Sequence, residues 1–182
     1  VYALTRSGDV KFSEITVKAL DRKDAELLNG VYPYDMSGLK DFNMSFLSPV
    51  PSQKDAVRYI DTTVQRSEGK LILGGHSKGG NLAVYASVFA RPSVKKRITV
   101  YNNDGPGFDS DFVKHPDYLA ILPRIKSIVP YGSVVGMLLN HDGDYEVVKS
   151  SQSGLMQHDS MSWQVIGPDF ETEQELSPKS KR

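Results

Sequence analysis

Leu71-Ile72-Leu73 runs directly into Gly74-Gly75-His76-Ser77-Lys78-Gly79-Gly80, and this passage constrains the fold more than any other part of the chain. The apolar run reads as a short buried parallel strand, while Leu82, Ala83, Ala86 and Phe89 beyond it form an apolar face at helical spacing. Strand and helix are therefore joined by a very tight bend with a serine at its tip. G-x-S-x-G in that setting is what a nucleophile elbow requires: Gly75 and Gly79 omit the Cβ atoms that would collide where strand passes helix, and Gly80 adds clearance. A plain glycine-rich connection before a buried helix would draw on the same residues. A phosphate loop would not, because the Lys-Ser/Thr that closes G-x-x-x-x-G-K-[ST] is absent, Asn81 follows Gly80, and no G-x-G-x-x-G reads through the segment.

The 182 residues suit a single domain spanning 1–182, with no internal repeat, low-complexity tract or linker to suggest a second. Lys+Arg and Asp+Glu both number 22, so charge recommends neither a nucleic acid nor an anionic membrane as partner. The absence of cysteine removes disulfides, thiol nucleophiles and thiolate metal sites, and fits a reducing, cytoplasmic compartment. There is no signal-peptide pattern and no apolar stretch of transmembrane length. The chain starts at Val1 rather than Met, as expected if an upstream segment has been removed.

Around the central passage the punctuation predicts alternating elements. Phe12, Ile15 and Val17 mark short apolar alternations, and Asp21 caps a helical stretch that ends at Asn29-Gly30. Turn formers interleaved with aromatics then predict a long ordered loop from Gly30 to Pro51. Ser52 with Asp55 resembles a capping box for a helix whose apolar face is Val57, Ile60 and Val64. After Arg91-Pro92 a strand is expected at Ile98-Thr99-Val100-Tyr101, then the turn Asn103-Asp104-Gly105-Pro106-Gly107, a helix from Pro116 to Leu122, and strands at Ile128-Val129 and Tyr145-Glu146-Val147-Val148. Strand, helix, strand, helix, strand is the order of right-handed crossovers, so the expected fold class is α/β, with a mostly parallel central sheet flanked by helices. The polar tail from Glu171 to Arg182 is expected to fray.

A serine hydroxyl needs a base, and of the four histidines His158 comes after all the expected parallel strands, where the chain order Ser, acid, His puts it. His76 adjoins the nucleophile and is expected to point away from it, His115 precedes a helix, and His141 sits in a loop. The acid must lie on a loop at the carboxyl edge of the sheet, a condition Asp104 meets at the end of the next strand, although Asp-Gly-Pro-Gly is also ordinary turn chemistry. Asp142 and Asp144 are alternatives, and Asp159 adjoins His158 and is expected to face elsewhere. The backbone N–H of Lys78 is the expected first oxyanion donor, and Asp35-Met36-Ser37-Gly38 is the best position for the second. Phe108, Leu138, Leu139 and Met156 could line an acyl pocket or simply pack in the core.

Three separated stretches, Gly75-His76-Ser77-Lys78-Gly79-Gly80-Asn81-Leu82-Ala83, Tyr101-Asn102-Asn103-Asp104-Gly105-Pro106-Gly107-Phe108 and Gln157-His158-Asp159 followed by Trp163, together resemble an uncharacterised bacterial family of α/β-hydrolase proteins. That family is itself similar to the class 3 (fungal-type) lipases, and the match covers roughly Asp41 to Phe170. The resemblance implies an α/β-hydrolase fold, a nucleophile at Ser77 and a base at His158. Two features depart from it. The position that looks equivalent to the class 3 acid, near Ser133, carries no carboxylate, and the Arg-Gly-Thr-Asp-like turn that would supply the second oxyanion donor is missing. The expected function is a serine ester hydrolase, lipase- or esterase-like, using no cofactor or metal and acting on small acyl esters, lipid esters included. The competing expectation is a catalytically inactive hydrolase-fold protein that binds a ligand or partner.

Overall fold

The computed structural model describes residues 49–64 and 69–180, together with the backbone of Tyr2–Thr5. The expected alternations and helix before Gly30, the long loop to Pro51 for all but its last residues, and the Asp35-Met36-Ser37-Gly38 position lie outside the described residues. Strand β1 is Tyr2–Thr5 and helix α1 is Pro51–Thr63. They are followed by β2 (Leu71–His76), α2 (Lys78–Phe89), the short α3 (Pro92–Lys95) and β3 (Ile98–Asn103). Next come α4 (Ser110–Val113), α5 (Pro116–Ile121), β4 (Ile125–Pro130) and β5 (Tyr145–Val148). A small hairpin of β6 (Val165–Ile166) and β7 (Asp169–Phe170) precedes β8 (Thr172–Glu173). The main sheet has the order β1-β2-β3-β4-β5-β8, with β2 to β5 parallel and β1 and β8 antiparallel at its edges. This is a mixed α/β architecture with a mostly parallel central sheet flanked by helices.

Alternation sets which side chains of the central strands go inside. Along β2, Leu71, Leu73 and Gly75 are buried and the residues between them half-buried, and β3 repeats the pattern with Ile98, Val100 and Asn102. Helix α2 packs on these two strands and on α1, and it is buried from Gly79 through Val88. The single apolar face expected from its sequence is therefore too narrow: a helix covered by the sheet on one side and by α1 and α5 on others is apolar nearly all round. Phe89, counted in that face, is 36% exposed and instead closes an aromatic cluster with Tyr85 and Phe112.

Helix α1 starts differently from its expected Ser52 cap. Val50 is the N-cap residue, Pro51 takes the first turn, where its missing N–H is no loss, and the Gln53 side chain accepts from Val50 N–H at 3.0 Å. The same Gln53 donates from Nε2 to Asn81 Oδ1 at 2.9 Å, and Asn81 Nδ2 donates to the carbonyls of Pro106 (3.1 Å) and Gly107 (3.0 Å). Both amides are buried, and this chain of bonds ties α1, the first turn of α2 and the loop after β3 together. Residues 172–177 of the polar tail are tied to the rest of the structure. Thr172–Glu173 pairs with β5, Leu176 is buried, and Ser177 N–H donates to Tyr131 O at 2.8 Å.

Replacing Asn81 by alanine leaves the Gln53 donor and two loop carbonyls without their partner in a buried setting. Asn81→Ala is expected to lower unfolding stability by about 2–4 kcal/mol, read from urea denaturation. A change within experimental error would show that the network carries no weight.

Candidate active site

Ser77 is the first residue beyond β2, and Asp104 is the first beyond β3. The parallel register pairs His76 with Asn103, so the two residues leave neighbouring strand ends at the carboxyl edge of the sheet, with strands about 4.8 Å apart. Ser77 N–H extends the ladder by donating to Asn103 O at 2.9 Å, and Asp104 N–H does the same to Ile128 O at 2.8 Å. The backbones of both residues then turn sharply, Ser77 with φ 57° and ψ −129° and Asp104 with φ 50°. Side-chain-bearing residues reach such conformations only at a cost that the surrounding structure must offset. Close packing explains the glycines: a Cβ on Gly75 would lie 2.2 Å from the Gly79 carbonyl carbon of the helix backbone, and one on Gly80 would lie 2.1 Å from Oδ1 of the Asn102 side chain. Ser77 is the N-cap residue of α2, yet its hydroxyl does not cap the helix.

The Asp104 carboxylate is only 1% exposed, and each oxygen has its own partners. Oδ1 accepts from Ser133 Oγ at 2.5 Å and from Gly136 N–H at 3.1 Å, both on the loop after β4. Oδ2 faces His158 Nδ1 at 2.7 Å. Three donors stand in for water around a buried acid, which is the condition for keeping it there. Gly136 admits no side chain, since a Cβ there would sit 2.2 Å from Asp104 Oδ1. His158 ends a 3-10 turn, Gly154–His158, that follows β5. Because a carboxylate only accepts, Nδ1 carries the hydrogen, and the neutral ring keeps its lone pair on Nε2.

The remaining candidates separate cleanly. His115 caps α5 by accepting from Asp117 N–H through Nδ1 and stacks edge-on with Phe89, away from the strand ends. Asp159 accepts from Met161 N–H and so caps the next 3-10 turn, while Asp142 and Asp144 are exposed. Phe108 is buried in the aromatic core, stacked on Phe112, whereas Leu138, Leu139 and Met156 are exposed on the loops that also carry Gly136 and His158. His141 lines a small cavity with Asn102, Gly105 and Gly136, and its Nε2 is buried without a partner. Lys78 opens α2, placing its backbone N–H directly after Ser77. Among the described residues no group of three or more His, Cys, Asp or Glu could hold a metal, and no helix is long and apolar enough to cross a membrane.

Sequence reasoning missed the two donors from the loop after β4 and the part taken by His76. Ser133 was visible only as a position lacking a carboxylate. His76, expected to face away from Ser77, has its ring against His158 with centroids 4.5 Å apart.

Burial, more than any neighbour, holds the imidazoles of His76 and His141 below their ordinary pKa of 6.5. Below that pH the unfolded chain takes up protons that the folded chain refuses, so stability is full above it and is lost as pH falls toward the lowered folded values. Urea midpoints are expected to decline from about pH 7.5 to about pH 5.5, with a shallower decline in His141→Asn, which keeps an amide near the Nδ1 position. An unchanged slope in that variant would remove His141 from the account.

No curated protein sequence matches the chain. A family model described as Mbeg1-like matches residues 35–182, which takes in every element from α1 to β8, and the chain therefore belongs to the Mbeg1-like family, a family of lipase-like proteins.

Proposed function

We propose that the chain is a serine hydrolase of the α/β-hydrolase type, cleaving carboxylic esters through an acyl-enzyme. The observation that carries this reading is the 2.7 Å bond between His158 Nδ1 and the buried Asp104 carboxylate, made at the strand end beside the one that leads to Ser77. It leaves Nε2 as the basic nitrogen on a ring packed against His76, the residue next to Ser77. The strained φ of Ser77 and a hydroxyl not spent on capping its helix support the same role.

In the proposed reaction Ser77 Oγ attacks the acyl carbonyl while His158 Nε2 takes its proton. Asp104 holds the imidazole in the required tautomer and stabilises the imidazolium. The negative charge that develops on the carbonyl oxygen is met by the backbone N–H of Lys78, backed by the dipole of α2. The imidazolium then gives its proton to the departing alkoxide. Water, deprotonated by the same nitrogen, attacks the acyl-enzyme, and Ser77 leaves with the proton as the carboxylic acid is released. These steps call on no cofactor or metal. Leu138, Leu139 and Met156, exposed on the loops that carry Gly136 and His158, suit an acyl chain, so small acyl esters and lipid esters are the substrate class. The Mbeg1-like membership supports a lipase-like activity in the same terms.

A fluorophosphonate probe is expected to label the folded protein, and the label to vanish in Ser77→Ala. Folded protein that stays unlabelled would leave ligand binding without catalysis as the better reading. Asp104→Asn is expected to cut kcat by about 10⁴-fold, because the amide favours the wrong imidazole tautomer. Ser77→Gly is expected to abolish turnover while raising stability by about 1 kcal/mol, since glycine adopts that backbone conformation without strain. Loss of stability in that variant would argue that the bend is not strained.

A further inference from the structure

His76 fills the variable position before Ser77, and no step of the proposed reaction uses its side chain. Its ring is nonetheless built into the site. Nε2 lies 2.6 Å from the backbone carbonyl oxygen of His158. The His76 ring is tilted 35° to the His158 ring at a centroid distance of 4.5 Å, and meets Trp163 edge-on at 6.3 Å. A carbonyl oxygen only accepts, so Nε2 carries the hydrogen and donates it. Burial, and then the neighbouring His158, hold the His76 pKa low, which keeps the ring neutral with one N–H to give.

The other bonds of the segment that carries His158 lead elsewhere. Gly132 N–H donates to Gln157 Oε1 at 2.9 Å, from the loop after β4. Trp163 Nε1 donates to Gln157 O at 2.9 Å, within the segment itself, and Ser151 N–H donates to Ser162 O at 2.8 Å, from the stretch after β5. Of these bonds, the one from His76 is the bond that runs to β2, the strand that ends at Ser77. Asp104 fixes the imidazole at one nitrogen, and the ring can still swing about that point if its backbone shifts.

We propose that His76 is a positioning residue: its Nε2–H grips the His158 carbonyl and keeps the His158 imidazole in register with Ser77 while Asp104 holds Nδ1. The proposal rests on the catalytic reading of Ser77, His158 and Asp104. A misplacement of about 1 Å between base and nucleophile costs about 100-fold in rate, so a single grip of this kind has a measurable effect.

The test compares the full chain with His76→Gln, His76→Phe and His76→Leu. Glutamine carries an amide N–H three bonds from Cβ, as histidine carries Nε2, whereas phenylalanine keeps the ring and leucine the apolar bulk without a donor. With p-nitrophenyl butyrate, His76→Phe is expected to lower kcat about 10–100-fold with KM changed less than about 2-fold, and His76→Gln to stay within about 3-fold of the wild type. Independently of turnover, the downfield Nδ1 proton resonance of His158, assigned by its loss in His158→Gln, is expected to persist in His76→Gln and to broaden or vanish in His76→Phe. Wild-type kcat in His76→Phe, equal losses in His76→Gln and His76→Phe, or an unchanged resonance in His76→Phe would overturn the proposal. If thermal melts show that His76→Phe does not fold, His76→Leu is read in its place. Failure of both to fold alongside a folded His76→Gln would mark the donor as structural and overturn the positioning role. A wild-type protein that neither hydrolyses the ester nor takes the fluorophosphonate label defeats the catalytic reading, and the resonance comparison then decides separately whether His76 holds His158.

Discussion

The site depends on a buried carboxylate whose two oxygens are both met by hydrogen-bond donors. Asp104 is held inside by a hydroxyl, a backbone amide and an imidazole, and these come from two different loops. A carboxylate stripped of water is tolerated only when its lone pairs are matched by donors, so the loop after β4 and the turn after β5 must both be in place for the acid to stay buried where it is. The geometry that presents His158 is therefore the same geometry that makes the Asp104 turn stable. Gly136 shows how tight the arrangement is, for any side chain there would overlap the carboxylate itself.

A second constraint lies beneath it, in the way α2 meets the sheet. Ser77 alone separates β2 from the helix, the strand and helix backbones pass so closely that Gly75 has no room for a Cβ, and the Asn102 side chain of β3 fills the space a Cβ on Gly80 would need. Asn81, in the first turn of that helix, is bonded on one side to Gln53 of α1 and on the other to the loop that follows Asp104. Ser77 and Asp104 thus hang from neighbouring strand ends that are also braced through a shared buried amide. Strain at two positive-φ residues is borne by a helix buried on nearly every side.

Much of this was legible in the residues. The strands at Leu71, Ile98 and Tyr145, the helices after Ser77 and at Pro116, and the parallel order all follow from short apolar runs alternating with helical spacing. Chain order points to His158, and a place at the carboxyl end of a strand points to Asp104 over Asp142 and Asp144, but the contact itself depends on how far the loop after β5 folds back. The start of α1 was misread because Ser52 and Asp55 look like a capping pair, whereas Pro51 at the first position and Gln53 reaching back to Val50 supply the cap. The tail was expected to fray because its composition is polar. Within it, two residues of antiparallel pairing with β5 and one buried leucine hold residues 172–176 on the sheet.

Local chemistry by itself determined the bend at Ser77, because glycine spacing, an apolar strand and a helix start are all properties of adjacent residues. It also determined the parallel α/β class, since the periodicities change along the chain. What only the tertiary structure decided are the contacts between distant segments: Ser133 and Gly136 as donors to Asp104, Asn81 as the brace, and His76 against the His158 carbonyl. The physical reason is that a hydrogen bond needs its two groups within about 3 Å. No pattern along the chain encodes which loops, separated by dozens of residues, will be brought that close.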